Sequence, residues 1–225
     1  MAIVTGGASG IGLGIGTRIA QEGGTVVLVD LSADALTEAV AKIRDVPGHV
    51  VTSVADITAE DDVEQLMRSA VEDYGQLDVV VNSAGIAGPT ATNITDYDTD
   101  AFRRVIDVNL IGSFIVTKHA VAMMKPRGYG RILLLASIAG KDGNPGMAGY
   151  TTSKAGVIGL VKGIGKEYAD TQLTINGLAP AVIATPMNLK TAAEQLEYMK
   201  SKIPMGRLGT VDEVASLACW IVSAE

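Results

Sequence analysis

Cysteine and histidine are scarce in this chain of 225 residues, and their scarcity argues against two kinds of site. Cys219 is the single cysteine, so no disulfide can form within the chain, which is typical of a reducing compartment. We therefore expect a cytoplasmic protein. His49 and His119 lie far apart, and neither has the spacing of metal ligands around it, so we expect no metal site.

Positive charge and long hydrophobic runs are also in short supply. The formal net charge is −7, which argues against nucleic-acid binding because a phosphate backbone requires a basic face. No apolar run reaches the ~18 residues that a membrane span needs, and the N-terminal residues MAIVTGG lack the basic segment of a signal peptide. With 48% hydrophobic and 19% charged residues, the composition is typical of a globular protein.

Short, nearly all-apolar runs alternate along the chain with longer segments of helical periodicity. Such runs predict strands covered on both faces, and their alternation with helices predicts right-handed βαβ units. We therefore predict an α/β fold with one domain over 1–225, a Rossmann-type doubly wound parallel sheet in three α/β/α layers. The predicted strands are 2–5, 25–30, 49–56, 77–85, 131–137 and 173–180. The predicted helices are about 11–22, 32–44, 59–74, 99–124, 150–169 and 211–223. The less regular segment 184–209 is a candidate lid.

The stretch VTGGASGIGLG follows the first predicted strand and opens the first predicted helix. Gly6, Gly10 and Gly12 allow a tight turn and a close approach to a ligand, and N–H groups at a helix start favour an anion such as a pyrophosphate. Asp30 ends the second strand, where a carboxylate can accept hydrogen bonds from both hydroxyls of an adenosine ribose. It would repel a 2′-phosphate, and no Arg or Lys follows closely to bind one, so NAD is favoured over NADP. The alternative is that Asp30 only caps a helix.

Tyr150 and Lys154 lie one helical turn apart in GYTTSKAG and would share one face of a helix. A nearby ammonium favours the phenolate and so lowers the pKa of a tyrosine, as a general base near neutral pH requires. Such a pair often arises by chance. Ser137, however, ends the fifth strand, and the carboxyl ends of parallel strands form the ligand crevice of an open sheet. The glycine turn, Asp30, Ser137 and the tyrosine helix therefore meet on one rim, which predicts a catalytic site.

The order and spacing of these motifs resemble the short-chain dehydrogenase/reductase family over essentially the whole chain. The matching residues are TGGASGIG (5–12), Asp30, Asp56, NSAG (82–85), Asn109, Ser137 and the run from Tyr150 to Lys154. The resemblance implies reversible hydride transfer between an alcohol carbon and a nicotinamide. It implies Tyr150 as the catalytic acid/base and Ser137 as the hydrogen-bond partner of the reacting oxygen. It also implies that Lys154 holds the nicotinamide ribose and lowers the tyrosine pKa, and that Asn109 supports a water relay to it.

The resemblance further implies which residues hold the cofactor. Asp56 would contact the adenine, and Ile183 and Thr185 would hold the carboxamide. The full implied set is Gly6, Ser9, Gly10, Ile11, Gly12, Asp30, Asp56, Ile57, Asn82, Ala84, Gly85, Tyr150, Lys154, Pro180, Ile183 and Thr185. Two positions depart from the family pattern, because Ser83 stands where an asparagine is common and Ala181 where a glycine is common. A positive φ at Ala181 would cost free energy that glycine avoids.

The resemblance narrows the substrate through three segments, 138–148, 181–190 and 194–207. Within the family they look most similar to sugar and sugar-acid dehydrogenases, such as those acting on 2-keto-3-deoxy-L-rhamnonate or -fuconate. We therefore expect a small secondary alcohol or ketone as substrate. A sugar acid would need a cation nearby, and the candidates are Lys141, Lys190 and Arg207.

Two other interpretations stay open. A 3-oxoacyl-[acyl-carrier-protein] reductase usually prefers NADP and docks an acidic partner, and both Asp30 and the net charge of −7 weigh against it. A basic patch could still serve such a partner, and it would comprise Arg103, Arg104, Lys125 and Arg127. The second alternative is a dinucleotide-binding sensor without turnover, against which the complete Ser–Tyr–Lys set argues.

Gly156, Gly159 and Gly163 fall on one face of the 150–169 helix, and each costs ~1 kcal/mol against alanine in a helix interior. Close approach of another element would compensate, for example the apolar 99–124 helix. Packing within the subunit explains this pattern, and the resemblance adds a dimer interface, usually within tetramers, so we expect a homo-oligomer. We also expect the sheet to lack the final strand of the family, which would leave the strand around 173–178 as an edge.

Overall fold

The computed structural model of the protein describes residues 1–189, 197 and 200–224. Within these residues, six parallel strands form one sheet in the order β3-β2-β1-β4-β5-β6. The strands are β1 Ala2–Thr5, β2 Thr25–Asp30, β3 His49–Val54, β4 Val79–Asn82, β5 Tyr129–Leu135 and β6 Gln172–Leu178. In the register of the sheet, Ile3 on β1 lies between Val27 on β2 and Val80 on β4. The prediction of a parallel sheet is confirmed.

Helices cover both faces of this sheet. They are α1 Gly10–Gln21, α2 Ala33–Val40, α3 Glu60–Tyr74, α4 Thr99–Ile106, α5 Gly112–Met124, α6 Ala139–Asp142, α7 Ala148–Glu167, α8 Pro186–Leu189 and α9 Val211–Ile221. A π-helical turn, Asp107–Ile111, joins α4 to α5, and a 3₁₀ turn, Lys125–Arg127, follows α5. One hydrophobic core joins the sheet to α3, α5 and α7, and the other joins it to α1, α2 and α9. The predicted three-layer α/β/α arrangement is therefore confirmed.

The strand order reverses at β1, which has β2 on one side and β4 on the other. A crevice opens at the carboxyl ends of the strands at such a point, because the connections on either side leave in opposite directions. The glycine-rich turn follows β1 at this edge, Asp30 ends β2 and Asn82 ends β4. The fold thus brings sequence-distant residues to one rim.

The two outermost strands are less covered than the sequence predicts. Apolar runs predict burial on both faces, but no residue of β3 is buried, and Val54 is 58% exposed. In β6 only Leu173 and Ile175 are buried. In the sheet formed by the described residues, each of these strands has a neighbouring strand on one side only, and the helical layers cover them incompletely. Within the described residues β6 is an edge strand, as expected.

The predicted helix 99–124 forms, but it contains one wider, π-helical turn. Its apolar periodicity predicts one α-helix, whereas the structure has α4, the π-helical turn and then α5. Asn109 in that turn is held from outside the helix, because its Oδ1 accepts the N–H of Ile86 at 2.8 Å and its Nδ2 donates to the Ile86 carbonyl at 2.9 Å. These two bonds anchor the turn to the segment after β4. The helix is therefore confirmed, and the π turn within it was not predicted because a hydropathy pattern does not reveal one wider turn.

The helical stretch Thr99–Arg127 is long and apolar enough to cross a membrane, with a mean hydropathy of 1.4 over an 18-residue window. The sequence contains no uninterrupted apolar run of this length, because the window also includes polar residues. Within the protein, 61% of the window is buried. Side chains such as Ile115, Val116 and Met124 pack in the core between the sheet, α3 and α7. The apolar character of this stretch is explained by its place in the core.

Candidate active site

A cleft of about 430 Å³ opens at the carboxyl ends of the strands. Its walls come from the segments that follow the six strands, together with residues of α4, the π-helical turn and α7. These wall segments are 6, 9–11, 29–31, 55–57, 83–87, 135–138 and 180–188 in part. The cleft therefore lies where the reversal of strand order predicts a ligand site.

Two glycines give the turn between β1 and α1 its shape. Gly6 has a φ of +63°, and a Cβ there would lie 2.8 Å from the backbone N of Ala84. A Cβ on Gly12 would lie 2.2 Å from the carbonyl oxygen of Gly6. Neither position has room for a side chain, so the turn can pack against both the segment after β4 and the start of α1.

The N-terminus of α1 faces the cleft. Ser9 and Gly10 line it, and Ser9 is the N-cap residue of the helix. The Ser9 side chain makes no capping hydrogen bond, and no acidic residue lies in the first turn. The N–H groups of a helix start carry partial positive charge and bind anions. This end of the cleft is therefore suited to a phosphate group.

Asp30 lines the cleft and does not cap α2. The N-cap of α2 is Ser32, which accepts the N–H of Ala35 at 3.2 Å. The carboxylate of Asp30 accepts the N–H of Ala8 at 3.2 Å on Oδ2 and the N–H of Leu31 at 2.8 Å on Oδ1. Each carboxylate oxygen keeps acceptor capacity beyond these bonds. The helix-cap alternative is therefore excluded, and the carboxylate is fixed at the wall of the cleft.

Asp56 lines the cleft beside Ile57. The hydroxyl of Thr58 donates to Asp56 Oδ1 at 2.7 Å and its backbone N–H donates at 2.8 Å, and these bonds hold the pKa of that carboxyl below its usual range. The positive charge of Arg104 on α4 acts in the same direction, and Arg104 also lines the cleft. From the sequence, Arg104 was expected only in a basic surface patch, because helical periodicity does not tell which polar residue faces a cleft.

Ser137 and Tyr150 meet within the cleft. Ser137 is buried, and its hydroxyl faces the phenol of Tyr150 closely enough to favour the phenolate. Burial has the larger effect, and it raises the pKa of Tyr150 above its usual value. The expectation of a lowered tyrosine pKa is therefore wrong for this structure. The neutral phenol is the favoured form near neutral pH.

The position of the Lys154 ammonium explains why its charge does not lower the pKa of Tyr150. That ammonium donates to the carbonyl oxygen of Leu135 at 2.6 Å, and its Nζ lies 5.8 Å from the centroid of the Tyr150 ring. The residue is only 5% exposed, and burial lowers the pKa of Lys154 to about 8. The ammonium is thus directed at a backbone carbonyl, and it begins to lose its proton only slightly above neutral pH.

Asn109 lies behind the cleft wall. It is fully buried, and its Nδ2 also donates to the hydroxyl of Ser153 at 3.0 Å. A Cβ on Gly85 would lie 3.0 Å from Asn109 Oδ1 and 3.6 Å from the Nζ of Lys154. Asn109 therefore ties the wall after β4 to α7, the helix that carries the tyrosine–lysine pair, and Gly85 permits this close packing.

Asn82 is also buried behind the wall. The hydroxyl of Thr5 donates to its Oδ1, and its Nδ2 donates to the hydroxyl of Ser113 at 2.8 Å. These bonds link β1, β4 and α5. Asn82, Asn109 and Gly12 are the predicted site residues that do not line the cleft, and each supports its wall from behind.

The other predicted site residues all line the cleft: Gly6, Ser9, Gly10, Ile11, Asp30, Asp56, Ile57, Ala84, Gly85, Ser137, Tyr150, Lys154, Pro180, Ile183 and Thr185. The segment 180–185 is held by a parallel bridge between Ile183 and Gly209. There the N–H of Ala184 donates to the Gly209 carbonyl at 2.8 Å. Ala181 does not have a positive φ, so the free-energy penalty considered for it does not arise.

The candidate cations for a sugar acid do not reach the cleft within the described residues. Arg207 binds both carboxylate oxygens of Glu213, at 2.6 and 3.0 Å, and is not part of the cleft wall. Lys141 on α6 is exposed and likewise outside the wall. Lys190 lies outside the described residues, as does the middle of the candidate lid 184–209. Two of these three predictions are therefore not supported by the geometry.

Several cleft residues were not named as site residues from the sequence. They are Ile86, Ala87, Arg104, Val108, Asn144, Met147 and Asn188. Asn144, Met147 and Asn188 fall in segments that the sequence analysis assigned to substrate choice, but nothing in their residue types marked them individually. In the part of the chain that the structure describes, no three His, Cys, Asp or Glu side chains are placed to hold a metal ion.

Comparisons with known sequences agree with this geometry. Residues 6–225 match the family model described as Enoyl-(Acyl carrier protein) reductase. The chain is 45% identical to 2-dehydro-3-deoxy-L-rhamnonate dehydrogenase (NAD(+)) of Sphingomonas sp. (strain SKA58), over 100% of this chain and 88% of that protein. It is 39% identical to 3-oxoacyl-[acyl-carrier-protein] reductase FabG of Thermotoga maritima, over 99% of this chain and 90% of that protein.

Solved structures show the same fold. An actinorhodin polyketide ketoreductase variant with NADPH has a TM-score of 0.92 and 31% identity, covering 99% of this chain and 90% of that one. An NAD⁺-bound xylitol dehydrogenase has a TM-score of 0.91 and 29% identity, covering 99% of this chain and 91% of that one. The chain therefore belongs to the short-chain dehydrogenase/reductase family of oxidoreductases, which act on CH–OH groups.

Proposed function

We propose that this chain is an NAD-dependent dehydrogenase of a sugar acid, which interconverts a secondary alcohol and a ketone. The observation that carries the proposal is the single cleft that joins Ser137, Tyr150 and Lys154 to Asp30 and the N-terminus of α1. The sugar-acid part is supported by the 45% identity to an enzyme named for 2-dehydro-3-deoxy-L-rhamnonate.

The cleft residues fit a nicotinamide dinucleotide. The uncapped N-terminus of α1 with Ser9 would hold the pyrophosphate, and the fixed carboxylate of Asp30 would accept the ribose hydroxyls. Asp56 would meet the adenine, and Ile183 and Thr185 would hold the carboxamide. When bound, the cofactor supplies the carbon that accepts or returns a hydride. The negative charge of Asp30 is the reason to propose NAD over NADP.

The residues of the chain would then handle the proton at the reacting oxygen. In ketone reduction, the neutral phenol of Tyr150 donates its proton to that oxygen as the new C–H bond forms. In alcohol oxidation, the phenolate takes the hydroxyl proton back. Ser137, whose hydroxyl faces the phenol, donates to the same substrate oxygen and holds it within reach.

The direction of the tyrosine pKa sets the expected pH dependence. Because burial raises the pKa of Tyr150, its acid form persists through neutral pH. Ketone reduction should therefore proceed at neutral pH and decline at alkaline pH. Alcohol oxidation needs the phenolate, so its kcat should rise with pH over the alkaline range.

Replacement of Tyr150 by phenylalanine tests the proposal. The variant should lose roughly 10²–10⁴-fold in turnover of a screen of aldonic and 2-keto-3-deoxy sugar acids with NAD, because it lacks the group that moves the proton. NAD binding, measured by calorimetry, should change little. Tyr168→Phe near the end of the same helix, outside the cleft wall, is the matched control and should keep wild-type activity. Activity of Tyr150→Phe within ten-fold of wild type would refute the assignment.

A 3-oxoacyl-[acyl-carrier-protein] reductase remains the second candidate because of the 39% identity to such an enzyme. Its acidic partner would need free cations, and two members of the candidate patch are already paired. Arg127 binds Asp78 at 3.0 Å, and Arg103 binds Asp100 at 2.7 Å. Faster turnover of an acyl-carrier-protein substrate with NADPH than of any sugar acid with NAD would favour this candidate.

We also propose that the chain forms a cytoplasmic homo-oligomer through α5 and α7. Gly156 is explained within the subunit, because a Cβ there would lie 2.7 Å from Leu110. In the described part of the chain, nothing lies within 4 Å of a Cβ added to Gly159 or Gly163, and Phe114 on α5 is 48% exposed. An apolar side chain and bare helix backbone are the kind of surface that a second copy can cover. A monomer mass by light scattering at micromolar concentration would contradict this.

A further inference from the structure

The loop between α6 and α7 brings one amide side chain to the mouth of the cleft. Asn144 lies in this loop, between Ser137 and Tyr150 in sequence, and lines the cleft together with Met147. Its side chain is of the type that can donate and accept hydrogen bonds at once. Asn144 therefore adds a neutral polar side chain to the cleft that also contains the residues that would act on the substrate oxygen.

The backbone of this loop is firmly positioned. The N–H of Asn144 donates to the hydroxyl of Thr151 at 3.1 Å, and its carbonyl accepts the N–H of Met147 at 3.2 Å. Gly146 has a φ of +77°, and a Cβ there would lie 2.8 Å from the Cα of Ala91. Thr151 directly follows the catalytic tyrosine on α7, so the loop and the reacting groups share one rigid support.

The amide of Asn144 is not committed to the protein. Among the described residues, its Nδ2 has only the thioether sulfur of Met147 as a partner, at 3.8 Å, and a thioether is a weak acceptor. Asn188, the other side-chain amide of the cleft wall, differs because its Nδ2 donates to the carbonyl of Ile183 at 2.9 Å. Among the described residues, Asn144 is thus the wall amide whose N–H groups are available to a ligand.

The charged side chains of the described cleft wall lie away from this amide, so an anionic group there would meet no repulsion from the wall. The acidic residues of the described wall are Asp30 and Asp56, which follow β2 and β3. The cations of that wall are Arg104, which acts on Asp56, and Lys154, whose ammonium donates to a backbone carbonyl. Around the α6–α7 loop the described wall therefore has neither a carboxylate to repel an anion nor a cation to bind one.

We propose that Asn144 is a specificity-determining residue whose amide N–H donates to the carboxylate of the substrate. The proposal rests on the function proposed above and names the group that recognises the acid end of that substrate. A neutral amide tolerates a carboxylate and a hydroxyl, whereas a carboxylate side chain at the same place would repel the acid and still accept from a hydroxyl.

The test compares Asn144→Ala and Asn144→Asp on two substrates of the wild-type enzyme, a sugar acid and a neutral sugar or polyol. Loss of a hydrogen bond to a charged group predicts a fall of about 10-fold or more in kcat/KM for the acid with Asn144→Ala. Asn144→Asp should fall further on the acid than on the neutral compound. Asn93→Ala and Asn93→Asp, on an exposed loop outside the wall, are the matched controls and should behave as wild type.

The thermal midpoint and the NAD dissociation constant of each variant should equal those of the wild type, which separates recognition from misfolding. If both Asn144 variants keep the acid-to-neutral ratio of kcat/KM, the inference is wrong even though the proposed function stands. If the wild type turns over neutral compounds but no sugar acid, the proposed function and the inference both fail. An unchanged ratio with Asn144→Asp alone also overturns the inference, because repulsion of the acid is unavoidable if the two groups meet.

Discussion

Replacement of Lys154 by methionine should stabilise the fold while destroying the activity. The ammonium of Lys154 is buried, and its one hydrogen bond goes to the carbonyl of Leu135 at 2.6 Å. Methionine has an unbranched chain of similar reach without the charge. The substitution therefore removes the desolvation penalty and keeps most of the packing.

The magnitude follows from the pKa. Burial lowers the pKa of Lys154 from 10.5 to about 8, and this gap of about 2.5 corresponds to ~3 kcal/mol of free energy against the charged form. The Leu135 carbonyl loses its partner in the variant, which costs about 1–2 kcal/mol. The net expectation at pH 7 is a variant that is ~1–2 kcal/mol more stable than the wild type.

The advantage should reverse at alkaline pH. Between about pH 8 and 10.5 the unfolded wild type binds the lysine proton and the folded one does not, so the wild type gains stability as the pH rises. The methionine variant has no such group and gains nothing from it. Above this window only the orphaned Leu135 carbonyl distinguishes the two proteins, and the variant should be the less stable one.

Urea unfolding at several pH values between 7 and 10.5 measures this difference directly. Other groups that titrate in this range, such as Cys219 with its pKa raised by burial to about 11, are present in both proteins and cancel. Lys162→Met on the exposed side of α7 is the control and should show no pH-dependent difference. A stability difference between Lys154→Met and wild type that stays constant with pH would refute the reasoning.

Three further predictions concern the cleft and its surroundings. Asp30→Ala should lower kcat/KM for NAD by about 10-fold or more and shift the NAD-to-NADP ratio towards NADP, because ribose hydroxyls lose a charged acceptor; an unmoved ratio would contradict its role. Gly85→Ala should lower activity strongly and lower the unfolding free energy by ~1–3 kcal/mol, because the added methyl would press on Asn109. Wild-type kinetics together with a wild-type melting temperature would contradict this. Tyr97→Phe should raise the unfolding free energy by ~1 kcal/mol, because the buried hydroxyl has no partner among the described residues; a fall in urea unfolding would show that it has one.

The sequence predicts the positions of the catalytic groups better than their electrostatics. Tyr150 and Lys154 share a helix face because of their spacing, and β5 delivers Ser137 to the same cleft. The direction of the tyrosine pKa could not be predicted, since it depends on burial and on where the ammonium of Lys154 points. That ammonium is directed by the carbonyl of Leu135, which no side-chain pattern encodes.

The failed prediction of Arg207 as a substrate cation has a similar cause. Its partner Glu213 belongs to the capping box of α9, where it accepts the N–H of Thr210 at 2.8 Å. An acidic residue in that box was visible in the sequence, but its second bond to Arg207 depends on how the preceding turn folds. A local motif predicts the bond between Glu213 and Thr210. Whether Arg207 also binds the Glu213 carboxylate depends on the tertiary structure.

The π-helical turn between α4 and α5 fixes the angular phase of the two helices. In an α-helix each residue advances the chain by about 100°, so one additional residue rotates everything before it by that angle relative to everything after it. This phase lets Arg104 line the cleft while Met124 lies in the core of the sheet. Deleting a single residue here would leave a regular α-helix without local strain, but it would rotate Arg104 out of the cleft. The shape of this cleft wall thus depends on the number of residues in the π-helical turn. A deletion there would distort the wall without changing any side chain that touches a ligand.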